Sequence, residues 1–507
     1  MITVSLNEAD FEYDIHSLVK AFYPEEDVKV SADLEKIHEL EREHEPLFSI
    51  EVYYDRREED CGKDNVCCRE GKEGGCADKI VFRIVGESVE TVAETPVDFS
   101  NRKDTKNRLK RCLYRILSER TKKSLPWGTL TGIRPTKIPM SMLEQGKTET
   151  EIRAFMEENY LASRQKIDLS IEIAERERKL LNQIAYSDGY SLYVGIPFCP
   201  SICSYCSFSS SPIGAWEDQV GAYLDALERE IDFTAGACSH KKLNTVYIGG
   251  GTPTTLTPEQ LDRLLSKIEG SFDFSNLLEY TVEAGRPDSI TREKLCVLRK
   301  HGISRISINP QTMKQETLDI IGRRHTVEQT VASFRLAREL GFDNINMDLI
   351  VGLPGENLED VGRTMEEICK LSPDNLTVHS LAIKRAAKFN ISPEDYAGMK
   401  MENSWEIIGL TARYARTLGL LPYYLYRQKN MAGNFENVGY ALPGKAGLYN
   451  ILIMEEVQSI VALGAGSISK RVYPDGRIKR CENVKDVALY IEKIDEMIER
   501  KRKLLMD

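Results

Sequence analysis

The sequence predicts an α/β fold whose centre is a parallel sheet of six βα repeats, closed partly into a barrel. After residue 188, apolar and β-branched runs alternate with segments that are long enough for helices. In one such segment Thr257 offers a helix N-cap, Pro258 suits the first helical position and Gln260 completes a capping box. Another, Val327–Leu340, has helical apolar spacing. The six predicted strands are Ser191–Pro197, Thr245–Ile248, Glu279–Glu283, Arg305–Asn309, Ile345–Ile350 and Asn375–His379.

The chain has 507 residues, which is long enough for about three domains. The predicted segments are an α+β domain of unknown role at 1–150, a linker helix at 151–187, the barrel at 188–385 and a mixed, substrate-covering domain at 386–507. The linker is predicted because Leu161–Tyr186 contains neither glycine nor proline. Further predicted elements are strands at Leu47–Tyr54 and Lys79–Val85 and helices at Arg108–Lys122 and Val484–Leu505.

Composition, net charge and hydropathy argue against several classes of protein. The formal net charge of −11 argues against non-specific binding of nucleic acid. The start of the chain lacks the basic and apolar segments of a signal peptide, and no apolar run approaches the ~18–20 residues that span a bilayer. We therefore expect a cytoplasmic protein that does not bind membranes. In that compartment the 12 cysteines are expected to be free thiols and metal ligands rather than disulfides.

Three cysteines, Cys199, Cys203 and Cys206, form a C-x3-C-x2-C triplet directly after the first predicted strand. Structural zinc normally takes four protein ligands and an electron-carrying iron–sulfur cluster takes four cysteines. An isolated triplet therefore predicts one [4Fe–4S] cluster with an iron left open. This is the pattern of radical S-adenosylmethionine (SAM) enzymes, in which SAM binds the open iron and its reductive cleavage yields a 5′-deoxyadenosyl radical. The alternative is three thiols in a turn that hold no metal.

Polar residues and glycines follow the other predicted strands, where a SAM molecule would need partners. Successive glycines let backbone groups approach a ligand closely, and buried polar groups require partners of some kind. Two alternatives stay open, a βα turn without a ligand and pairing of Arg323 with Glu283 or Asp348 inside the barrel. The residues concerned are Gly249, Gly250, Gly251, Thr252, Glu283, Gln311, Arg323 and Asp348.

Several motifs resemble the oxygen-independent coproporphyrinogen III oxidase (dehydrogenase) family. The resemblance spans roughly residues 188–470, and two further stretches are similar to its HemZ-type branch, which carries an added N-terminal domain. The branch-specific stretches are Trp127–Lys137 and Tyr423–Tyr440. The family motifs are Tyr193-Val-Gly-Ile-Pro-Phe-Cys199, Gly249-Gly-Gly-Thr-Pro-Thr254, Arg305-Ile-Ser-Ile-Asn-Pro-Gln311, Gly322-Arg-Arg-His325 and Asn346-Met-Asp-Leu-Ile-Val-Gly-Leu-Pro-Gly355.

The resemblance implies an oxidoreductase of anaerobic haem and porphyrin biosynthesis. Two propionates of coproporphyrinogen III would be decarboxylated to the vinyl groups of protoporphyrinogen IX, with one or two SAM molecules and a one-electron reductant such as flavodoxin or ferredoxin. The anionic tetrapyrrole calls for cations, for which Arg427 and Lys429 are candidates, followed by Lys384 and Arg385. By resemblance the cluster ligands would be Cys199, Cys203 and Cys206, and the SAM contacts Tyr193, Gly249, Gly250, Gly251, Thr252, Glu283, Gln311, Arg323 and Asp348.

The chain departs from the family pattern at two places. Phe208 stands where the oxidases carry a fourth nearby cysteine. Relatives without that cysteine include haem chaperones, which use a His-Asn pair, and the nearest counterpart here is Tyr449-Asn450. Three functions therefore stay open, namely the oxidase, a haem-binding or trafficking protein, and another radical SAM reaction on a tetrapyrrole or a different substrate.

Two features of the N-terminal part carry open alternatives. The turn-rich stretch Leu125–Lys137 is either a binding loop or a tight connection. A second group of thiols lies in a glycine- and charge-rich loop, where it would hold zinc or an auxiliary cluster or remain reduced and exposed. Its members are Cys61, Cys67, Cys68 and Cys76.

Overall fold

The computed structural model describes residues 1–56, 78–86, 91–132, 134–382, 398–428, 431 and 434–506. Contacts within the chain divide it into two compact units. The domain boundaries predicted at residues 150, 187 and 385 remain predictions. The first unit consists of Met1–Pro135 and Ser141–Ile171, and the second of Thr136–Met140 and Glu172–Asp507.

The first unit contains a five-stranded sheet in the order β2-β1-β3-β4-β5. Strands β1, β2 and β3 run parallel, and β4 and β5 are antiparallel additions. Buried and more exposed residues alternate along β3, as expected for a strand with one face on a core. The elements are β1 (Ile2–Leu6), α1 (Glu12–Phe22), β2 (Val28–Ser31), α2 (Leu34–Glu43), β3 (Phe48–Asp55), β4 (Lys79–Val85), β5 (Thr91–Pro96) and α3 (Arg102–Thr121).

Three helices follow, α4 (Lys137–Glu144), α5 (Glu149–Tyr160) and α6 (Arg164–Leu181). Helix α5 begins with a capping box between Thr148 and Glu151. The helix predicted over Leu161–Tyr186 corresponds to α6, which is shorter because Leu161, with φ of 53°, ends α5 in a left-handed conformation. The chain passes from the first unit to the second within α6.

The second unit is built on the predicted parallel sheet, and all six predicted strands are present. Neighbouring strands pair in parallel from β6 to β13, in the order β6-β9-β10-β11-β12-β13. Strand β6 is buried along nearly its whole length, as expected for a parallel strand covered on both faces. The strands are β6 (Gly189–Ile196), β7 (Phe198–Cys199), β8 (Ser211–Pro212), β9 (Lys242–Gly250), β10 (Glu279–Glu283), β11 (Arg305–Ser307), β12 (Ile345–Val351) and β13 (Asn375–Ser380).

Helices occupy the segments between these strands, which confirms the α/β class. The predicted capping box of Thr257 and Gln260, with Pro258 at the first helical position, is present at the start of α8. The predicted helix over Val327–Leu340 is α11. The helices are α7 (Val220–Ala237), α8 (Pro258–Ser271), α9 (Arg292–Lys300), α10 (Gln315–Ile320), α11 (Val327–Glu339) and α12 (Leu358–Leu371).

The C-terminal part extends the same sheet at both edges. Strand β15 pairs antiparallel with β13 and with β14, while β16 pairs in parallel with β6 and carries the β17–β18 hairpin. The single helix predicted over Val484–Leu505 is wrong: the backbone leaves helical values at Lys493 and two helices result. These elements are α13 (Trp405–Thr417), β14 (Leu421–Tyr426), β15 (Asn437–Ala441), α14 (Leu448–Glu455), β16 (Ser459–Leu463), β17 (Ile468–Val472), β18 (Ile478–Glu482), α15 (Val487–Glu492) and α16 (Ile494–Met506).

No helix in the described ranges is both long enough and apolar enough to cross a membrane. The topology of the second unit predicts that a ligand binds at one edge of its sheet. Because the six predicted strands are parallel, their carboxyl ends and the loops that follow them meet at that edge, where α/β folds bind their ligands.

The first part of the Leu125–Lys137 stretch packs tightly within the first unit. Trp127 is fully buried, and the Thr129 N–H donates to the Tyr160 carbonyl at 2.7 Å. Gly128 has φ of +53°, and a Cβ on it would lie 2.0 Å from the Tyr160 carbonyl oxygen. The glycine is therefore required by both its backbone conformation and its surroundings.

We expect Gly128→Ala to lower the free energy of unfolding by more than about 2 kcal/mol, because the new Cβ overlaps backbone atoms. Gly146 is the matched control, since its φ is +78° and nothing lies within 4 Å of a Cβ there. Gly146→Ala should lower the free energy of unfolding by only about 1 kcal/mol, which is the cost of placing an alanine in the left-handed conformation. Urea unfolding followed by circular dichroism measures both, and equal losses would contradict the close approach at Gly128.

Candidate functional site

A cavity of about 370 Å³ lies at the carboxyl ends of the parallel strands. The loop that carries the cysteine triplet forms part of its wall, and side chains from β9 to β15 form the rest. Its lining includes carboxylates, guanidinium groups, amides and tyrosines beside the three thiols. Few polar groups are normally buried together without a ligand or mutual pairing, so each one has to be accounted for.

Backbone hydrogen bonds attach the cysteine loop to the ends of neighbouring strands. Strand β7, which contains Cys199, pairs in parallel with β8, and the Ser211 N–H donates to the Pro197 carbonyl at 2.8 Å. On the β9 side, the N–H groups of Gly251 and Thr252 donate at 2.7 Å to the carbonyls of Ile196 and Phe198. The loop is therefore positioned by the sheet at both of its ends.

Contacts with the 321–322 turn hold the middle of the loop. The Ser204 N–H donates to the Ile321 carbonyl at 2.9 Å, and the Ser201 hydroxyl donates to the Gly322 carbonyl at 3.1 Å. Arg286, which is 2% exposed, donates to both the carbonyl and the hydroxyl of Ser201 at 3.2 Å and pairs with Asp288. Arg286 was not identified from the sequence, although it stands three residues after Glu283 at the end of β10.

Donor groups reach the sulfur atoms of the triplet. The Thr252 hydroxyl donates to Cys199 Sγ at 3.5 Å, and Arg286 Nη1 lies 3.6 Å from Cys203 Sγ. Burial raises the pKa of the Cys199 and Cys206 thiols. Donors and a nearby cation stabilise thiolate over thiol, so this environment provides what metal-bound sulfur requires.

The three thiols of the triplet lie on one loop at the cavity wall. Within the described part of the chain, no three His, Cys, Asp or Glu side chains converge closely enough to hold one metal ion. In a [4Fe–4S] cluster each cysteine binds a different iron, so the thiolates are necessarily spread around the cluster. Cys199, Cys203 and Cys206 are free thiols on one loop that lines one cavity, and they are of the residue type that such a cluster binds.

The glycine turn after β9 is explained in part by packing. A Cβ on Gly251 would lie 2.5 Å from the Phe198 carbonyl oxygen, and Gly250 has φ of +102°. A Cβ on Gly249 would lie 2.9 Å from Glu283 Cδ. These glycines therefore admit the cysteine loop and the Glu283 side chain close to β9. Gly250 and Gly251 also line the cavity, so structural and ligand roles coexist.

Glu283 is the most perturbed carboxylate that lines the cavity. Burial raises the pKa of Glu283 to about 7, although Tyr247 donates a short hydrogen bond to its carboxylate. The Tyr247 ring stacks on Tyr193 and on Tyr449, at centroid distances of 6.2 and 4.5 Å. The pKa of Tyr247 is raised well above its usual value, again by burial. The tyrosine stack thus positions the hydroxyl that donates to Glu283, while burial raises the pKa of this carboxyl group.

Arg323 and Asp348 are not paired with each other. Arg323 donates through Nη1 to the Asn309 carbonyl and through Nη2 to the Gly285 carbonyl at 3.4 Å, while its Nε has no partner among the described residues. Asp348 faces His379, whose Nε2 lies 3.9 Å from Oδ2. The alternative of an internal pair between Arg323 and Glu283 or Asp348 is therefore not supported within the described ranges.

A row of polar side chains along β11 was missed from the sequence, except for its last member. Successive inward positions of this strand and its continuation line the cavity, and each has a buried polar atom without a hydrogen-bond partner in the described structure. The signal was the alternation of polar residues with apolar ones or proline in Arg305-Ile-Ser-Ile-Asn-Pro-Gln, which has the two-residue period of a strand. Gln311 also has φ of 68°, an uncommon conformation that often marks functional sites. The atoms are Arg305 Nε and Nη2, Ser307 Oγ, Asn309 Oδ1 and Gln311 Oε1.

Most of the predicted site residues line this one cavity. Tyr193 and Gly249 lie behind the lining, against Tyr247 and Glu283. Arg427 is buried but does not line the cavity, and it donates to Asn434. Outside the described residues lie Lys384, Arg385, Lys429, Cys61, Cys67, Cys68 and Cys76. The predicted residues in the lining are Cys199, Cys203, Cys206, Gly250, Gly251, Thr252, Glu283, Gln311, Arg323 and Asp348.

The counterpart of the chaperone pair is engaged in packing. Tyr449 is 5% exposed and its ring completes the stack with Tyr247 and Tyr193. Asn450 donates to the Tyr423 hydroxyl at 3.2 Å. Phe208, at the position of the oxidases' fourth cysteine, is 71% exposed and lies at the cavity wall.

Comparisons with known proteins identify one superfamily match and several similar proteins. Residues 193–368 match the radical SAM superfamily. The chain is 42% identical over 408 residues to the oxygen-independent coproporphyrinogen-III oxidase-like protein HemZ of Bacillus subtilis, covering 80% of this chain and 81% of that one. It is 39% identical over 200 residues to the haem chaperone HemW of the same organism, covering 39% and 52% respectively. Among solved structures, coproporphyrinogen III oxidase (HemN) of Escherichia coli, a radical SAM enzyme, has a TM-score of 0.49 and 25% identity, covering 63% of this chain and 73% of that one.

The raised pKa of Glu283 predicts a pH dependence of stability. A carboxyl group whose pKa is raised on folding stabilises the fold while it is protonated, and this contribution is lost as the pH rises through about 7. Glu283→Gln cannot lose a proton, so its melting temperature should exceed that of the wild type by more at pH 8 than at pH 5. Differential scanning fluorimetry without SAM measures this, and an advantage that is equal at both values would contradict the shift.

Proposed function

Because the chain belongs to the HemZ-type family of oxygen-independent coproporphyrinogen-III oxidase-like proteins and carries a radical SAM domain, we propose that it decarboxylates coproporphyrinogen III propionates oxidatively. Radical SAM proteins use a [4Fe–4S] cluster together with SAM. The observation that carries the proposal is the meeting of three free thiols, buried carboxylates and partnerless polar atoms in one cavity. The product would be protoporphyrinogen IX.

In this proposal Cys199, Cys203 and Cys206 hold three irons of the cluster and leave the fourth iron for SAM. Arg286 keeps Ser201 and the loop in place and, with Thr252, donates toward the ligand sulfurs. Such donors raise the reduction potential of a cluster because they favour the more negative state. Cluster potential and loop position are therefore set by the same few contacts.

The SAM contacts are assigned to the carboxyl ends of the strands. Arg323 Nε and Gln311 Oε1 are a donor and an acceptor that lack partners in the described structure, and Glu283 and Asp348 are carboxylates able to accept from hydroxyl or ammonium groups. Backbone groups of the 250–252 turn and the supporting Tyr193 and Gly249 complete the assignment. Bound together, cluster and SAM supply hydrogen-atom abstraction from an unactivated carbon after a one-electron reduction.

The reaction requires little acid–base work from the chain. At each propionate the overall change is loss of one hydrogen atom, one molecule of carbon dioxide and one electron, which leaves a vinyl group. The residues contribute position and exclusion of water, because a misplaced substrate would not present the correct carbon. A reductant such as flavodoxin or ferredoxin would deliver electrons, and an acceptor protein would take the electron released with carbon dioxide.

The haem chaperone is the second candidate, since the chain is also similar to a protein of that name. Phe208, in place of the oxidases' fourth cysteine, favours it. Tyr449 argues against it, because its buried ring is held between neighbouring tyrosines and is not presented to the cavity. On balance the oxidase is the better-supported function.

The cluster assignment predicts the iron content. Anaerobic reconstitution should give about four irons per chain, with an absorption spectrum that SAM perturbs. A triple variant, Cys199→Ala, Cys203→Ala and Cys206→Ala, should lose both the iron and the spectrum. Cys238→Ala is the matched control, because Cys238 is buried at the end of α7 and outside the cavity. Equal iron in the triple variant and the control would refute the assignment.

The reaction itself is tested by product analysis under anaerobic conditions. Coproporphyrinogen III, SAM and a one-electron reductant should release carbon dioxide and 5′-deoxyadenosine, with protoporphyrinogen IX as the tetrapyrrole product. Cleavage of SAM without carbon dioxide would indicate a different radical substrate. Stoichiometric binding of haem without turnover would favour the chaperone instead.

A further inference from the structure

We propose that Arg305 and Ser307 form a carboxylate-binding site in the cavity, which takes a propionate of the substrate. The site is separate from the position expected for SAM, and it rests on the proposed function for the identity of the anion. It takes the place of Arg427, one of the cations suggested by the sequence, which does not line the cavity.

Arg305 is a buried cation that forms no ion pair within the described structure. Its side chain is 2% exposed, and its Nε and Nη2 have no hydrogen-bond partner among the described residues. A buried guanidinium is normally paired, because an isolated charge pays a large desolvation cost. The arginine nevertheless lines the cavity. Its unpaired nitrogens point to an anionic partner that the chain itself does not provide.

One carboxylate that attracts Arg305, that of Glu279, already accepts hydrogen bonds from other groups. Glu279 accepts a hydrogen bond from the Leu448 N–H at 2.6 Å with one oxygen and from the Thr281 hydroxyl at 3.0 Å with the other. Glu279 and Glu283 attract the guanidinium through space, and Tyr247 and Tyr423 lie near it, but none of them forms a hydrogen bond or an ion pair with it. Two guanidinium nitrogens therefore remain without a hydrogen-bonded acceptor within the described part of the second unit.

Ser307 supplies a second donor on the same side of the strand. It stands two residues after Arg305, so both side chains project to the same face of β11, and both line the cavity. The Ser307 hydroxyl also lacks a partner. A guanidinium and a neighbouring hydroxyl can together donate to both oxygens of one carboxylate, the anionic group that arginine binds with favourable geometry.

The order of donors and acceptors along the β11 row indicates that this anion is not the carboxylate of SAM. Toward the cysteine loop, the partnerless atoms are the oxygens of Asn309 and Gln311, which accept hydrogen bonds. At the start of β11 they are the donors of Arg305 and Ser307. The carboxylate of SAM would bind the open iron beside the cysteine loop, at the opposite end of the row. A carboxylate at Arg305 therefore belongs to a second molecule, and the propionates of a tetrapyrrole meet that description.

The test measures binding of coproporphyrin III, the stable oxidised form of the substrate, to cluster-reconstituted protein by fluorescence quenching. Arg305→Met, which keeps much of the side-chain volume, should weaken binding at least about tenfold, since a charged hydrogen-bonding partner is lost. Arg305→Lys and Ser307→Ala should have intermediate effects. SAM binding, followed through the cluster spectrum, should be unchanged in all three. The tetramethyl ester should bind equally to wild type and Arg305→Met.

Thermal unfolding of the same variants without ligand tests whether Arg305 has a purely structural role. Arg305→Met removes an unpaired buried charge, so its melting temperature should equal or exceed that of the wild type. Arg427→Met is the matched control, because it removes a buried arginine that donates to Asn434, and it should melt lower. If Arg305→Met does not fold, Arg305→Lys and Ser307→Ala carry the binding test.

The proposal is overturned if Arg305→Met binds coproporphyrin III as tightly as the wild type, or if SAM binding falls in parallel. It is likewise overturned if the ester and the free acid respond equally to the substitution. Product formation that does not depend on Arg305 would reject this site and leave the proposed function intact. Binding that depends on Arg305 without any decarboxylation would support the site and reject the proposed reaction.

Discussion

Two backbone hydrogen bonds, from Gly251 and Thr252 of the β9 turn to the carbonyls of Ile196 and Phe198, determine where the cysteine loop can lie. They form only because Gly251 has no Cβ, since a Cβ there would overlap the Phe198 carbonyl. Arg286 then connects the loop to the end of β10 through Ser201. The thiols, the strand ends and the cavity consequently form one rigid arrangement, and displacement of the turn would displace the thiols with it.

The cost of buried charge is the second constraint on this unit. Elsewhere in the unit a buried charge has partners within the chain. Lys501, for example, donates to the Ala462 carbonyl and lies 3.2 Å from Glu230. In the cavity this is not the case, because Arg305 has no ion pair in the part of the chain that the structure describes, and Glu283 has a pKa near neutrality. A group of unpaired polar atoms that share one cavity is expected where a ligand supplies the missing partners. The position of the site therefore follows from satisfaction of polar groups as well as from the motifs.

The sequence anticipated the parts that depend on local pattern. The six strands were recognisable because each is a short apolar run between helical segments, and the capping box at Thr257 is purely local. Strand β16 was missed although Ser459–Leu463 is such a run, because it joins the sheet beside β6 from far along the chain. Arg427 and Arg305 could not be told apart by residue type. Asn434 bonds the first and nothing in the described chain bonds the second, a difference that only tertiary structure creates.

Tyr449 is relevant to both candidate functions, the haem chaperone and the oxidase. A haem-binding protein would need an accessible ligand there, whereas Tyr449 stacks on Tyr247 at 4.5 Å. Tyr247 in turn donates to Glu283, a carboxylate that we assign to SAM. The stack fixes the Tyr247 ring, and with it the direction of that hydrogen bond, so the aromatic residue at 449 supports the carboxylate indirectly. The packing of Tyr449 is therefore linked, through Tyr247, to the carboxylate that the proposed function assigns to SAM.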